Sequence, residues 1–268
     1  MQKARYIIVT APGFESMRGL AAEIARRGMP GGAQVIYDER NRLFRVRHGG
    51  EPYIVKAFRR PNAVNSLAYT TVRQSKARRS FDNALRLCAL GIDTPRPAAY
   101  MEVRSGLRLR ESYYICRDVA SPQIRHWERR PDSAQMLDAF AADIVRLHAM
   151  GVWHKDFSPG NILVEGTCPP YRFYYIDLNR MCFSVSSRKK LMGMFGRMHD
   201  LEEPVRGLAR CYGRALARWR LEDADASAPQ FMHTLTEAEA ERDAVGAYRR
   251  FWGRMARKRR LKRLLRRC

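Results

Sequence analysis

The sequence predicts an α+β chain in which a small antiparallel sheet comes first and a mainly helical part follows. Residues 34–58 hold three short strand patterns broken by polar turns. Residues 132–150 carry Leu137, Phe140, Ile144 and Leu147 on one helical face. Between that helix and the short apolar run Ile162-Leu163-Val164 stands a polar loop, His154 to Asn161, too rich in hydrogen-bonding side chains to belong to a core. A chain of 268 residues is long enough for one or two domains.

The elements follow in order. Residues 1–33 read as a strand-helix extension: Tyr6-Ile7-Ile8-Val9 is strand-like, Met17, Leu20, Ala21 and Ile24 share a helical face, and Gly28 and Pro30 stop it. The sheet-bearing part, residues 34–119, opens with strands at Gln34 to Tyr37, Leu43 to Val46 and Tyr53 to Phe58, joined by turns at Asp38-Glu39-Arg40-Asn41 and Gly49-Gly50. A basic helix, about Ser75 to Leu90, ends at Gly91 before Pro95 and Pro97, and two more strands fit Ala98 to Val103 and Arg110 to Cys116. Residues 120–248 form the helical part with the polar loop, and within it Tyr174-Tyr175-Ile176 is a strand leading into Asp177. Residues 249–268 are a basic amphipathic tail with eleven Lys and Arg and no acid.

The formal charge of +23, from 50 Lys and Arg against 27 Asp and Glu, calls for an anionic partner or surface. The six cysteines form no C-x-x-C pair and no zinc-type spacing with the histidines, and are read as reduced thiols. No secretory signal and no membrane-spanning run of about 20 apolar residues is evident, so a cytoplasmic chain is expected.

The loop reads H-x-D-x-x-x-x-N through His154, Asp156 and Asn161, a spacing that average residue usage gives by chance in about 1% of chains this long. In that pattern the Asp accepts the proton of an attacking hydroxyl and the Asn holds a metal ion on nucleotide phosphates, which is the chemistry of phosphoryl transfer with ATP and Mg2+. Asp177, at the end of an aromatic strand and followed by Leu178 and Asn179, stands where D-F-G supplies a second metal-holding carboxylate. Leu178 can fill the apolar slot of Phe and Asn179 tolerates the positive φ that often demands Gly, so the change is compatible with metal binding. In Tyr53-Ile54-Val55-Lys56-Ala57-Phe58, Lys56 on the third strand is placed to contact nucleotide phosphates; the plainer reading is an edge-strand lysine. His154 is read as a structural brace. The acid that would pair with Lys56 is Asp82 on the basic helix, because no Glu occurs between Glu51 and Glu102. No G-x-G-x-x-G is present, and the turn Asp38 to Asn41 stands in its place. Adenine is expected beside the linker Arg117-Asp118-Val119, with Arg117 and Val119 as binding positions.

With Tyr53-Ile54-Val55-Lys56, Leu147-His148-x-x-Gly151-x-x-His154-x-Asp156 and Ile176-Asp177-Leu178-Asn179-Arg180 on the page, the chain resembles the lipopolysaccharide kinase (Kdo/WaaP) family over about residues 34–220. The stretches Ser75-Lys76-Ala77-Arg78-Arg79-Ser80 and Gly91-Ile92-Asp93-Thr94-Pro95-Arg96-Pro97 carry the same likeness. The resemblance implies a protein-kinase-like two-lobed fold. It also implies ATP-dependent phosphorylation of an inner-core sugar, Kdo or heptose, on a lipid A carrier at the cytoplasmic membrane face. Lys56, Asp156, Asn161 and Asp177 match the family's working positions; the missing helical Glu departs from the usual kinase pattern.

The basic charge suits an anionic glycolipid, and Arg188-Lys189-Lys190 and Arg197 are candidates to touch it, although a solvated helix face is the plain alternative. The tail offers two stripes: Tyr248, Phe251, Trp252 and Met255 to pack on the domain, and Leu261, Leu264, Leu265 and Cys268 to lie on anionic lipid as a peripheral attachment. Three rival readings remain: a protein kinase, a small-molecule kinase, and a basic binding protein without catalysis. No nucleic-acid partner is expected, and the pattern specifies no oligomeric state.

Overall fold

A computed structural model describes residues 4–39, 41–58, 74–106 and 108–264, with side chains to residue 260. The chain divides into two compact units, Met1–Ala120 with Asp177–Asn179, and Ser121–Ile176 with Arg180–Cys268.

The first unit is built on a six-stranded sheet in the order β1-β5-β6-β4-β3-β2, antiparallel throughout. Its strands are β1 (Ala4–Thr10), β2 (Gln34–Asp38), β3 (Asn41–His48), β4 (Glu51–Phe58), β5 (Pro97–Ser105) and β6 (Arg108–Arg117). The β3–β4 hairpin closes through Gly49 and Gly50, at φ +59° and +82°. Two consecutive positive φ values give the turn whose twist matches that of the strands, and only Gly adopts the pair at no steric cost. Helix α1 (Arg18–Arg27) buries Ala21 and Ile24. Helix α2 (Lys76–Ala89) begins at Ser75, whose hydroxyl accepts from the Arg78 N–H at 3.0 Å. A cap of this kind contributes about 1 kcal/mol. Its buried residues Ala77, Phe81, Ala84 and Leu87 recur every three to four positions, and Phe81 meets Tyr100 of β5 at 5.2 Å between ring centres.

Two expected boundaries are corrected. Residues 1–33 are no separate extension, because β1 pairs along its whole length with β5, Ala4 opposite Ser105 through Thr10 opposite Ala99. The backbone groups of Tyr6-Ile7-Ile8-Val9 thereby gain ladder partners that an isolated strand lacks. At the other end, α6 (Glu237–Leu264) runs through residue 249, so the basic tail continues a helix.

The second unit is mainly helical: α3 (Ser133–Ala149), α4 (Arg188–Met192), α5 (Glu202–Glu222) and α6 surround two short ribbons. One ribbon pairs β7 (Trp153–His154) with β10 (Met181–Cys182); the other pairs β8 (Ile162–Glu165) with β9 (Arg172–Tyr175). The core is aromatic, with Phe140 stacked on Phe157 at 6.1 Å and Phe157 on Tyr175 at 6.0 Å. Gly213 of α5 lets the start of α6 close in, since a Cβ there would lie 2.8 Å from the Glu237 Cα. Among the described residues the five cysteines are free thiols, and no helix is long and apolar enough to cross a membrane.

His148, fully buried on α3, shares a hydrogen bond of 2.9 Å between Nδ1 and the Tyr212 hydroxyl. Burial drives its pKa down to about 3. The unfolded chain, with an ordinary imidazole near pH 6.5, therefore binds more protons than the folded one between those values. The stability this histidine contributes is complete above pH 6.5 and declines by about 1.4 kcal/mol per unit as pH falls toward 3. Urea unfolding at pH 7 and pH 5 is expected to show the loss in the native chain. It should be smaller by this amount in His148→Gln, which has no group to titrate there.

Candidate active site

Lys56 lies in the middle of β4, opposite Leu43 of β3 and Tyr114 of β6, with its side chain mostly buried. Its ammonium is 2.6 Å from Asp177 Oδ1 and 5.4 Å from the centre of the Phe58 ring. The expected partner, Asp82, instead faces Arg78 one turn earlier on α2, at 3.5 Å. This corrects the Lys56–Asp82 pairing. The shorter Asp side chain stays with a neighbour at i−4 on its own helix, while the carboxylate that reaches Lys56 comes from 121 residues further along. The reading of Lys56 as a solvent-facing edge residue also falls, because β4 is an inner strand.

Asp177 takes φ +58°, in the left-handed region. Two side chains hold the turn that follows. Asn83 of α2 donates to the Leu178 carbonyl at 2.7 Å, and Asn179 donates to Asp177 Oδ1. Leu178 and Asn179 are buried in a short 3-10 turn, Leu178–Arg180. Asp is one of the few residues that tolerates the left-handed region, and here its Oδ1 accepts from both the Lys56 ammonium and the Asn179 amide.

The linker is more occupied than its sequence suggested. The Arg117 N–H donates to the Arg96 carbonyl and the Asp118 N–H to the Pro52 carbonyl, while the Arg117 side chain pairs with Glu51 and covers the Tyr53 ring. These contacts use the Arg117 guanidinium and both of those amide hydrogens structurally. Val119 is half-buried. Burial pushes the neighbouring Cys116 thiol up to about 12, so it stays neutral. Asp38 and Glu39 in the β2–β3 turn pair with Arg42 and Tyr37. Arg40 lies outside the described residues.

In the second unit the polar loop is fixed from several sides. Gly151 adopts φ +63°, and a Cβ there would meet the Val185 nitrogen at 2.9 Å. The Asp156 N–H donates to His154 Nδ1 at 3.1 Å, so Nε2 carries the imidazole proton and donates to the Ile176 carbonyl at 2.9 Å. His154 is thereby a brace between the loop and the strand before Asp177. Asn161 donates through Nδ2 to the Asp156 carbonyl at 2.8 Å, which identifies Oδ1 as the end of its amide able to hold a cation.

The Asp156 carboxylate is gripped by two arginines that its sequence neighbourhood does not announce. Arg180 Nη1 is 3.0 Å from Oδ1 and 2.8 Å from Oδ2, and Arg197 Nη1 makes a short contact with Oδ1. Arg197 is itself seated 4.8 Å over the Phe251 ring of α6. The other basic candidates behave differently. Arg188 pairs with Asp243 and Glu239 of α6 and serves the helix packing, a correction to its expected substrate role. Lys190 stands over the Trp153 ring. Of the tail's first stripe, Tyr248 donates to the Asp200 carbonyl and Trp252 to the His199 carbonyl. The side chains of the second stripe, Leu261, Leu264, Leu265 and Cys268, lie outside the described residues.

The structure described as WaaP in complex with acyl carrier protein is similar, at 20% identity over 91% of this chain and 99% of that chain, with a TM-score of 0.54. That likeness shows a shared kinase-like fold. An aminoglycoside-3'-phosphotransferase of type VIII aligns at 15% identity over 86% of this chain and 98% of that one, TM-score 0.48. The Rio2 kinase–ADP/Mg2+–phosphoaspartate complex of Chaetomium thermophilum aligns at 15% over 91% and 78%, TM-score 0.45. No curated protein sequence matches. The sequence model of the lipopolysaccharide kinase (Kdo/WaaP) family matches residues 43–231, more than two thirds of the 268, and so the chain belongs to that family.

Proposed function

We propose that this chain transfers the γ-phosphoryl group of ATP to a sugar hydroxyl, Kdo or heptose, of the lipopolysaccharide inner core on lipid A. The observation that carries the reading is Asp156: a half-buried carboxylate in an H-x-D-x-x-x-x-N loop, held by Arg180 and Arg197 and backed by Asn161. Two carboxylate oxygens offer about four lone pairs. Among the described residues Oδ1 accepts from both arginines and Oδ2 from Arg180 alone, which leaves Oδ2 as the atom to receive the acceptor's proton. As the sugar oxygen bonds to the γ-phosphorus, the bond to the β–γ bridging oxygen breaks, ADP leaves with that electron pair, and the hydroxyl proton passes to Asp156.

The Asp177 carboxylate and the Asn161 amide oxygen are each of the hard oxygen type that magnesium takes, and we assign the ion to them. Bound there, it would neutralise charge on the nucleotide phosphates. Lys56, anchored on Asp177, supplies a further cation for the phosphates, and backbone groups of Val119 remain the assigned adenine contact. The formal charge of +23 suits an anionic glycolipid and an anionic membrane surface, to which the basic end of α6 attaches the chain peripherally.

Mass spectrometry of lipopolysaccharide made with the native chain and with Asp156→Asn tests the proposal; one added phosphate per core is expected from the native chain alone. Identical masses would remove the lipopolysaccharide core as acceptor. Arg197→Ala is expected to lower turnover roughly 10- to 100-fold through misplacement of the base, with nucleotide affinity unchanged. A rise in the KM for ATP at unchanged turnover would instead assign Arg197 to the nucleotide.

A further inference from the structure

The second unit carries a cluster that phosphoryl transfer does not use. His126, Glu128 and His199 each present one donor atom, and the three atoms lie within 4.8 Å of one another. His126 Nδ1 is 3.7 Å from one Glu128 oxygen, and His199 Nε2 is 3.4 Å from the other. A tetrahedral zinc ion with bonds of about 2.0–2.1 Å sets its ligand atoms about 3.3 Å apart. Each histidine faces its own Glu128 oxygen at within half an ångström of that, and one oxygen of the carboxylate has both imidazole nitrogens within the 4.8 Å span that a small side-chain rotation closes. We propose that these three side chains bind one divalent transition-metal ion, with zinc as the best match, and leave a fourth position to water.

Local structure explains why the three converge. His126 sits at φ 51° directly before the 3-10 turn Trp127–Arg129, and the buried Trp127 pins that turn to the core. The residues on either side of a pinned tryptophan are thus displayed together at the surface. The Trp127 ring also meets the His199 imidazole at 5.2 Å, edge to face, and the His199 carbonyl accepts from Trp252. His199 is 8% exposed, so its ring has little freedom to turn away.

The other ring nitrogen has two neighbours, which correspond to two tautomers. His199 Nδ1 has the Leu201 N–H at 3.0 Å and Asp200 Oδ1 at 3.1 Å. With Nδ1 accepting from Leu201, the imidazole proton sits on Nε2 and faces Glu128. With Nδ1 carrying the proton and donating to Asp200, Nε2 is a bare donor, and the carboxylate–histidine–metal relay that orients metal-bound imidazoles is complete. A metal ion selects the second tautomer by taking the place of the Nε2 proton, at the cost of the Leu201 N–H bond to Nδ1.

The donor set decides the class of ion. Two imidazoles and one carboxylate suit zinc and its transition-metal neighbours, whereas magnesium and calcium take oxygen ligands. Entry is open, since His126 and Glu128 are 61% and 37% exposed at the side chain. Arg129, 3.8 Å from Glu128, is 78% exposed and can yield the carboxylate. The ion would tie the segment before α3 to the residue leading into α5, so binding should raise the unfolding temperature. The inference is independent of the kinase reading.

The test uses untagged full-length protein stripped with a chelator, titrated with Zn2+ against a chromophoric competitor, with Co2+ absorption as a second readout. One equivalent is expected. His126→Ala and Glu128→Gln should each weaken binding by at least about 10- to 100-fold, and Asp200→Asn by a comparable outer-shell loss. Both ligand variants alter exposed side chains, and Glu128→Gln stands as the test if His126→Ala is poorly folded. Absence of one-equivalent uptake by the native chain overturns the site, as does native affinity in the variants.

Discussion

Asp156→Asn is expected to lower phosphoryl transfer by about 10²- to 10⁴-fold, the range for loss of a positioned general base. The affinity for magnesium–ATP should hold. The substitution keeps the shape of the side chain and one oxygen for the arginines, but an amide takes no proton near neutral pH. It also turns an NH2 group toward one of two guanidiniums that now share less negative charge. Arg180 and Arg197 are 51% and 37% exposed, so water receives the displaced donor and the fold should persist. Single-turnover measurements with saturating nucleotide check this directly. Near-native rates in the variant would take Asp156 out of the reaction.

Asp177→Asn should cost about 10²- to 10³-fold in turnover, comparable with removal of one preorganised electrostatic contact, and should shift the magnesium requirement upward. Asp177→Ala should add a structural penalty. It strips the partner from an ammonium only 16% exposed, and it places at φ 58° a residue that has no side-chain oxygen to hold the turn. Left-handed strain and an unsatisfied Lys56 together suggest a loss of roughly 1–3 kcal/mol in the alanine variant. The asparagine variant, which tolerates the left-handed region, should lose much less. Comparing unfolding midpoints and magnesium titrations of the two separates the roles. An unchanged magnesium dependence in both would show that Asp177 does not hold the ion.

The family pattern and the kinase-like fold were legible because they rest on local signals. The Ser75 cap, the paired glycines at residues 49 and 50 and the apolar face of α3 each fix a backbone state within a few residues. What the sequence hid is long-range pairing. Lys56 and Asp177 are 121 positions apart, and Arg197 is 41 from Asp156; no periodicity joins such residues. Asp82 looked suitable from its place on α2, but the nearer cation Arg78 took it. Arg188 looked like a substrate contact for want of any sign that Asp243 would stand opposite it. The left-handed position of this segment, Asp177, is likewise set by burial of the residues that follow it. Leu178 and Asn179 are buried, and the chain must therefore turn before them, at Asp177.

Arg197 lies over Phe251 while it holds Asp156, so an aromatic ring in the last helix and the proposed proton acceptor share one guanidinium. Shortening the chain is for that reason two different operations. A stop after residue 257 removes seven Lys and Arg together with Leu261, Leu264, Leu265 and Cys268. A stop after residue 248 also takes away Phe251 and Trp252, loosens Arg197 and leaves the His199 carbonyl without its indole donor. The shorter product would lose catalytic rate even on a water-soluble acceptor, and its inactivity would report a lesion beside the base rather than detachment from a lipid surface.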